Sequence, residues 1–412
     1  MKLRNGCRNI QELRNRIEET SVEKDGDDEH WHPRWVRVNT LKTSLQEQLH
    51  TTFKGHHQVD DLEELRASKD KAVLIDKHVP DLLALVAVDD LTKSMAYLGG
   101  LIIFQDKASC LPALLLDPTS CDGDIVDACA APGNKTTHIA SLMQGQGKKM
   151  IHACERDTTR AQSLLRLANL AGAVKNVKIH AGQDFLCVDP NKPPWHTISA
   201  ILLDPSCSGS GIIGRDETIR IVLPKIAPNT TPSKSKSKKR KRPPAGDEEE
   251  AAVLQEPRPQ ANSDPLKALS DRLKALSNIQ LKLLLHAFNF PSARRITYST
   301  CSIYDDENEH VVMKALNSVI VKRRRWRILS QDEQPDGLRE WSIRGKVEAC
   351  EAASGDRIPD AEVIAKSCIR CVKSTIEGTQ GFFVAGFVRD VGGEEATMQA
   401  GEDADEFNGF DA

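Results

Sequence analysis

Two cysteines, Cys207 and Cys301, lie in small polar segments that each follow an apolar, strand-like run. The segments read DPSCSGSG over residues 204–211 and YSTCS over residues 298–302. Because Pro, Ser, Gly and Thr flank the two thiols, we expect tight, solvent-accessible loops rather than simple core packing. A thiolate that adds to C6 of a cytosine or uracil makes C5 nucleophilic enough to attack a methyl sulfonium. The pair therefore indicates thiol-dependent methyl transfer to a pyrimidine base.

A third segment, IVDACAAPGNK over residues 125–135, combines an apolar run, a loop of small residues and the start of a helical pattern. Such a loop brings backbone N–H groups and a helix N-terminus to a nucleotide-like ligand at the edge of a parallel sheet. S-adenosylmethionine contains a ribose and an adenine but no phosphate, so its loop does not need the GxGxxG or Walker patterns, and this loop matches neither. We therefore expect S-adenosylmethionine to bind here.

Carboxylates follow three successive predicted strands. Glu155 ends the second strand, where a carboxylate is expected to hold the ribose hydroxyls. Asp184 follows the third strand, where it could reach the adenine amine, and Asp204 ends the fourth. Asp204 is also close enough to the thiol segment to manage charge at N3 and N4 of the base. The alternative for any one of these acids is a turn former or helix N-cap.

From about residue 101 onward, predicted strands alternate with predicted helices, which is typical of a doubly wound, mostly parallel α/β sheet with helices on both faces. Ligands of such a sheet bind beyond the carboxyl ends of its strands. The predicted strands are 124–129, 149–155, 176–181, 197–204, 294–300 and 381–388. The predicted helices are 135–142, 158–171, 264–289 and 306–316.

A smaller unit precedes this sheet. Short strand-like and helix-like stretches over residues 31–100 predict a small α+β domain. Trp31, Arg34, Trp35 and Arg37 combine aromatic and cationic side chains, which suits base stacking and phosphate contact. The alternative is that the tryptophans form the core of the small domain.

Charge is unevenly distributed along the 412 residues. With 56 Lys and Arg against 59 Asp and Glu, the net charge of −3 does not by itself indicate a nucleic-acid-binding protein. Seven of the nine residues over 234–242 are basic, which suits nuclear import or RNA contact. We divide the chain into a charged segment 1–30, the small domain 31–100, an α/β domain 101–390 with a disordered insert 223–263, and an acidic tail 391–412.

The eleven cysteines show little paired spacing. One CxxC pair, Cys368 and Cys371, does not supply the four ligands of a structural zinc site. No apolar run is long enough to cross a bilayer, and no N-terminal apolar signal segment is present. We therefore expect an intracellular protein with reduced thiols, no metal and no membrane contact.

Separated motifs in this chain resemble those of the Sun-type (RsmB/Sun) RNA cytosine-5 methyltransferases and occur in the order of that family. The resemblance extends from about Trp31 to Asp390. It implies a Rossmann-like class I methyltransferase fold with a small N-terminal RNA-binding domain. The similar segments are RVNT (37–40), LIIFQDKAS (101–109), DACAAPGNKT (127–136), DPSCSGSG (204–211) and YSTCS (298–302).

The resemblance also implies roles for individual residues. Cys301 is implied to be the nucleophile, and Cys207 to assist release of the product by helping to remove the C5 proton. DNA cytosine-5 enzymes instead use the cysteine of a Pro-Cys motif, so a Cys207 nucleophile is the chemical alternative. The residues implied to bind S-adenosylmethionine are Cys129, Ala130, Ala131, Pro132, Gly133, Asn134, Lys135, Glu155, Arg160 and Asp204, with Asp184 at the adenine.

Among the branches of this family, residues 134–136 and 204–211 most resemble the eukaryotic large-subunit (25S/28S) ribosomal RNA methyltransferase. This implies large-subunit rRNA or a pre-ribosomal particle as the partner, a monomer in the nucleus and nucleolus, and a part in ribosome biogenesis. The alternative function is a noncatalytic RNA-binding assembly factor that retains the fold. Amino-group methylation is disfavoured because Asp204 is followed by Pro-Ser-Cys rather than Pro-Pro-Tyr or Pro-Pro-Phe.

Overall fold

The computed structural model describes residues 31–86, 91–145, 149–212, 265–353 and 360–390. The predicted charged segment 1–30, insert 223–263 and acidic tail 391–412 lie outside the described residues.

The strands are β1 (Arg34–Val38), β2 (His57–Val59), β3 (Ala72–Ile75), β4 (Leu82–Leu85), β5 (Ile102–Phe104), β6 (Asp124–Asp127), β7 (Ile151–Glu155), β8 (Val177–Ala181), β9 (Ile198–Leu203), β10 (Arg295–Thr300), β11 (Trp326–Ile328), β12 (Ile369–Cys371) and β13 (Phe382–Arg389). The helices are α1 (Leu45–His50), α2 (Leu62–Ala67), α3 (Met95–Leu98), α4 (Lys107–Leu116), α5 (Asn134–Leu142), α6 (Thr158–Ala171), α7 (Pro265–Ala287), α8 (Glu309–Leu316), α9 (Val319–Arg324), α10 (Asp336–Arg339), α11 (Val347–Ala352) and α12 (Ala361–Ser367).

The first sheet has the strand order β2-β3-β4-β1-β5. β2 and β3 are parallel, and the other neighbours are antiparallel. Ser44 and Asp61 cap α1 and α2 by accepting hydrogen bonds from backbone N–H groups of the first helical turn. The predicted small α+β unit is thus confirmed as a fold. It extends past the predicted boundary at residue 100, because β5 pairs with β1.

The second sheet has the strand order β11-β13-β10-β9-β6-β7-β8, with β12 also paired to β13. The strands from β10 to β8 in this order are parallel, whereas β13 runs antiparallel to β10. From β6 the chain continues to β7 on one side, while β9 lies on the other side. The strand order therefore opens a crevice between the loops that follow β6 and β9. The predicted doubly wound, mostly parallel sheet is confirmed.

Helices cover both faces of the second sheet, so its central strands are buried on both sides. All six residues of β9 are buried, which agrees with the continuous apolar runs of parallel sheets. Each fully buried large aliphatic side chain contributes about 1.5–3 kcal/mol to folding. Representative core residues are Leu116, Ile139 and Leu164 from α4, α5 and α6 in one cluster, and Leu284, Val312 and Ile364 from α7, α8 and α12 in another.

The two sheets are joined by a buried cation, Arg37 of β1. Its Nε donates to Gln105 Oε1 at 2.8 Å, and its terminal nitrogens donate to Ser141 Oγ at 3.1 Å and Thr137 Oγ1 at 3.0 Å. Burial lowers the pKa of Arg37 to about 10, so the guanidinium is still charged at neutral pH. Only 1% of Arg37 is exposed, and the expected phosphate contact by this residue is therefore wrong.

Trp35 is likewise part of the protein interior. It is 3% exposed, and its Nε1 donates to the backbone oxygen of Gly378 at 2.6 Å. The core alternative is thus the correct one for Trp35. Trp31 and Arg34 are half-buried, and their contact with RNA stays a prediction.

Candidate active site

Cys207 and Cys301 face each other at neighbouring strand ends. Cys301 directly follows β10, and Cys207 lies in the loop after β9, the parallel neighbour of β10. The two Sγ atoms are 3.0 Å apart, and both residues are half-buried. Hydrogen bonding to Cys301, together with burial, raises the pKa of Cys207 well above its ordinary value. The two thiols therefore share a hydrogen bond in which either sulfur can be the donor.

Asp204, the first residue after β9, is held between a cation and a hydroxyl group. Its Oδ2 lies 2.7 Å from Lys135 Nζ, and its Oδ1 accepts a 2.7 Å hydrogen bond from Ser299 Oγ. Lys135 Nζ also donates to Ser109 Oγ at 3.0 Å. Burial alone would lower the pKa of Lys135, but the attraction of Asp204 outweighs it and the pKa is raised. A fixed carboxylate–ammonium pair therefore joins the strand-end loop that carries Cys207 to the start of α5.

Of the predicted cofactor residues, 129–133 lie in the loop from β6 to α5 and Asn134 and Lys135 begin α5, at the crevice of the sheet. Gly133 has φ +113°, a conformation that residues with a side chain rarely adopt. A Cβ at Gly133 would also lie 2.9 Å from Leu164 Cδ1 of α6. Glycine at this position therefore lets the loop turn and start α5 close against α6.

Glu155 and Arg160 contact this loop from the next strand and helix. Glu155 is buried at the end of β7, and its Oε2 accepts a 3.2 Å hydrogen bond from the backbone N–H of Ala131. Its Oε1 accepts a 3.0 Å hydrogen bond from the backbone N–H of Asp157. Arg160 Nη2 donates to the Ala131 backbone oxygen at 2.8 Å, and Nη1 is 3.7 Å from Glu155 Oε2. Both predicted residues therefore meet the loop at Ala131.

Several carboxylates give the crevice a negative charge. Burial, followed by the charges of neighbouring acids, raises the pKa of the Cys129 thiol well above its ordinary value. The neighbouring acids that contribute most to this raised pKa are Asp127, Asp204 and Glu155. Asp127, at the end of β6, accepts a 2.6 Å hydrogen bond from Thr136 Oγ1, and burial raises its pKa to about 6. Asp127 was not among the predicted site residues, although it ends a strand at the same edge as the predicted acids.

Asp184 lies farther along the same sheet edge. It follows β8, and its Oδ1 accepts a 2.9 Å hydrogen bond from the backbone N–H of Leu186, which caps a short turn. Its Oδ2 is 3.9 Å from Arg156 Nη1. The N-cap alternative thus describes its contacts, and an adenine contact stays a prediction.

The crevice fits S-adenosylmethionine. That cofactor carries positive charge at its sulfonium and amino groups, and the carboxylates of Asp127 and Glu155 surround the loop. Asp127 Oδ1 is buried without a hydrogen-bond partner among the described residues, so it can accept a further donor. Small side chains at Ala130, Ala131 and Gly133 allow close approach to the backbone.

A buried polar cluster behind Cys207 went unrecognised in the sequence. Glu307, Gln280 and Tyr298 are each 0% exposed and are linked by hydrogen bonds. Glu307 belongs to the acidic run 305–307, which reads as a solvated turn, and nothing in the sequence pairs it with Gln280. No signal in the sequence could therefore have assigned it to the site.

The described ranges contain neither a candidate metal cluster nor a candidate membrane span. No group of three or more His, Cys, Asp or Glu that could hold a metal ion occurs in those ranges. Cys368 and Cys371 are both buried there. None of the described helices combines the length and apolarity that a membrane span requires.

The strand order of the larger sheet and the crevice at β6 define a Rossmann-like methyltransferase fold. A solved structure, described as a methyltransferase homolog protein from Pyrococcus horikoshii, has the same fold, with a TM-score of 0.57 and 22% identity over 87% of each chain. A family model for the 16S rRNA methyltransferase RsmB/F matches residues 113–230. A second model, for the ferredoxin-like domain of NOL1/NOP2/Sun domain family member 5, matches residues 32–105.

Curated relatives extend this similarity along most of the chain. The 25S rRNA (cytosine-C(5))-methyltransferase rcm1 of Schizosaccharomyces pombe is 35% identical over 86% of this chain and 62% of its own length. The 26S rRNA (cytosine-C(5))-methyltransferase nsun-5 of Caenorhabditis elegans is 30% identical over 87% of this chain and 67% of its own length. The chain belongs to the Sun/RsmB family of methyltransferases. It spans about two thirds of the length of these two relatives.

Proposed function

We propose that this protein transfers a methyl group from S-adenosylmethionine to C5 of a cytosine in large-subunit ribosomal RNA. The relatives described above carry the names of large-subunit rRNA cytosine-C5 methyltransferases. The observation that carries the proposal is the pair of thiols, Cys207 and Cys301, 3.0 Å apart at the methyltransferase crevice. Methylation of an amino group has no use for such a pair, whereas C5 of a pyrimidine must first be activated by a nucleophile at C6.

Residues 129–135, the loop after β6 and the first two residues of α5, are proposed to bind the cofactor, with Glu155 and Arg160 supporting them and Asp184 nearest the adenine. When bound, S-adenosylmethionine supplies an electrophilic methyl group. The carboxylates at the strand ends favour its positive charge. Gly133 and its small neighbours keep the backbone open to the ligand.

Cys301 is proposed to be the nucleophile. Its thiolate accepts a hydrogen bond from Cys207 and adds to C6 of the base, which makes C5 nucleophilic. The resemblance to the Sun-type family assigns this role to Cys301, which directly follows β10, rather than to Cys207. Asp204, fixed by Lys135 and Ser299, is proposed to face the N3 and N4 edge of the cytosine.

Release of the product is proposed to be a β-elimination. With the help of Cys207, a base takes the C5 proton, the C5–H electron pair forms the C5=C6 double bond, and the C6–S bond breaks. The C6–S electron pair returns to the Cys301 sulfur. Cys207 can donate a hydrogen bond to that sulfur from 3.0 Å and so assist its departure.

The RNA partner is proposed to be large-subunit rRNA or a pre-ribosomal particle. C5 and C6 become accessible only when the cytosine leaves its stack, so a single-stranded or flipped base is expected. We propose a monomer that acts in the nucleus and nucleolus during ribosome biogenesis. The basic run 234–242, outside the described residues, is compatible with that location.

The test compares wild type, Cys301→Ala and Cys207→Ala, each incubated with labelled S-adenosylmethionine and large-subunit rRNA. Denaturing gels measure covalent protein–RNA adduct, and 5-methylcytosine mapping measures product. Wild type should methylate one cytosine, and Cys301→Ala should lose at least about a thousandfold of the rate. Cys207→Ala should accumulate the adduct, because addition proceeds while elimination stalls.

Near wild-type methylation by Cys301→Ala would show that the nucleophile is assigned wrongly. RNA binding without methylation by wild type, in the presence of bound cofactor, would favour the noncatalytic assembly factor instead.

A further inference from the structure

We propose that Glu307 and Gln280 are positioning residues for Cys207 and that they act in the release of methylated RNA. The inference rests on the proposed function. It assigns to a buried polar cluster the task of holding one thiol against the other.

The two peptide groups that flank Cys207 are each fixed by a side chain of this cluster. Gln280 Nε2 donates to the backbone oxygen of Ser206 at 3.1 Å. The backbone N–H of Ser208 donates to Glu307, at 3.0 Å to Oε1 and 3.3 Å to Oε2. The residue before Cys207 and the residue after it are therefore both anchored to the protein interior.

The anchors are also bonded to each other. Gln280 Nε2 donates to Glu307 Oε1 at 2.9 Å. The hydroxyl of Tyr298 donates to the Glu307 backbone oxygen at 2.6 Å and to Gln280 Oε1 at 3.2 Å. All three residues are 0% exposed. Because a buried polar group that lacks a hydrogen bond destabilises the folded state, the cluster keeps one arrangement rather than several.

The cluster connects the elements that carry the two thiols. Gln280 belongs to α7, Tyr298 lies in β10 three residues before Cys301, and Glu307 lies in the turn that follows Cys301. The Cys207 loop is thus bonded to the strand and the turn on both sides of Cys301. Together with the hydrogen bonds from Gly211 N–H to the Cys301 backbone oxygen, 2.9 Å, and from Ser208 Oγ to Ser302 Oγ, 3.1 Å, this arrangement holds the sulfurs 3.0 Å apart.

Loss of the anchors should therefore affect the step that needs Cys207 beside the Cys301 sulfur. Among the described residues, the cluster makes no hydrogen bond to the proposed cofactor loop after β6, and Asp204, the other implied cofactor residue nearby, is held by Lys135 and Ser299 instead. Addition of Cys301 to the base can still occur, whereas departure of its sulfur loses an aligned hydrogen-bond donor. The variants should thus resemble Cys207→Ala rather than Cys301→Ala.

The experiment measures how long the covalent adduct survives. Full-length wild type, Cys207→Ala, Glu307→Ala and Gln280→Leu are incubated with labelled rRNA and S-adenosylmethionine, then chased with unlabelled rRNA and sampled on denaturing gels. Glu307→Ala and Gln280→Leu should form adducts that decay about tenfold more slowly than those of wild type, as expected for loss of a hydrogen bond to a charged group. Their affinity for S-adenosylmethionine should stay within about twofold of wild type.

Two further variants separate positioning from stability. Glu307→Gln keeps an acceptor oxygen for Ser208 and Gln280, so adduct decay should return to within about threefold of wild type. Glu309→Gln removes an equally buried carboxylate, 0% exposed, which accepts hydrogen bonds from Arg370 at 2.6 and 2.5 Å and from the Lys346 backbone N–H at 3.0 Å. It should lower the unfolding temperature without prolonging the adduct.

The outcomes distinguish this inference from the proposed function. If Cys207→Ala accumulates adduct while folded Glu307→Ala and Gln280→Leu release it at the wild-type rate, the positioning role is wrong and the thiol roles stand. If wild type methylates rRNA but Cys207→Ala forms no lasting adduct, the proposed role of Cys207 is wrong and this inference fails with it. Prolonged adducts in Glu309→Gln as well would show a general effect of stability, which also overturns the inference.

Discussion

At the scale of single residues, the carboxylate of Asp204 is fixed before any substrate arrives. Its two oxygens contact Lys135 and Ser299, each at 2.7 Å. Groups that are oriented in advance do not have to reorganise during the reaction, and this makes their electrostatic effect large.

We predict that Asp204→Asn lowers kcat/KM for rRNA methylation by about a hundredfold or more, because it removes an oriented charge. Ser299→Ala removes only a neutral donor and should cost about two- to tenfold. Steady-state methylation assays with both variants test this order. Equal losses in the two variants would contradict the idea that the charge of Asp204 matters.

A second prediction concerns the pH dependence of stability. Burial raises the pKa of Asp127 from 3.8 to about 6, so the folded state binds the proton more tightly than the unfolded state. This contribution to stability is therefore present below about pH 4 and is lost as the pH rises through about 6. We predict that Asp127→Asn, which cannot ionise, gains up to about 3 kcal/mol in unfolding free energy relative to wild type between those pH values.

Urea unfolding of the cofactor-free protein at several pH values measures this difference. A constant difference between wild type and Asp127→Asn across the range would show that the Asp127 carboxyl group titrates normally.

At the scale of elements, the junction of loop and helix at Gly133 supports the cofactor crevice. We predict that Gly133→Ala weakens S-adenosylmethionine binding by about tenfold or more, because strain of about 1–3 kcal/mol and the contact with Leu164 displace the loop. Gly145→Ala is the matched control, since Gly145 also has positive φ, +81°, but has nothing within 4 Å of its Cβ position. Calorimetric titration of both variants with the cofactor measures the effect, and equal weakening in the two would refute it.

The sequence predicts elements well where their pattern is long or distinctive. The observed α6 has the predicted bounds, Thr158–Ala171. Helix α4 was not predicted because nine of its ten residues are buried, so it shows no polar face and no helical period. The short elements between residues 317 and 380 were also missed, because α9 to α12 have between four and seven residues and complete fewer than two turns.

Some residues of the site could likewise be predicted from the sequence and others could not. The proximity of Cys207, Cys301 and Asp204 could be predicted, because the carboxyl ends of neighbouring parallel strands share one edge. The place of Glu307 in the site could not be predicted, because its contact with Ser208 joins residues 99 positions apart and Glu307 lies in a turn of irregular backbone. Arg37 was misread because an arginine in a strand resembles a phosphate ligand in sequence, and only the packing of two domains shows that it is buried.

At the scale of the whole molecule, Arg37 links the small sheet to the methyltransferase unit. We predict that Arg37→Met lowers the unfolding free energy by about 2–4 kcal/mol, because it leaves buried acceptors of Gln105, Thr137 and Ser141 without their donor. Arg34→Met, at a half-buried position of the same strand, should change it by less than about 1 kcal/mol. Urea denaturation measures both, and similar values for the two variants would contradict the linking role.

The position of Arg37 determines whether the small sheet can be exchanged for another domain. Thr137 and Ser141, which receive the guanidinium, belong to α5, and α5 is the helix that begins at the loop proposed to bind the cofactor. The small sheet is therefore not an interchangeable attachment. Replacing the small sheet with another RNA-binding module would remove the Arg37 guanidinium from the side of α5. Because α5 begins at the proposed cofactor loop, a shift of this helix would also displace the loop that binds the methyl donor.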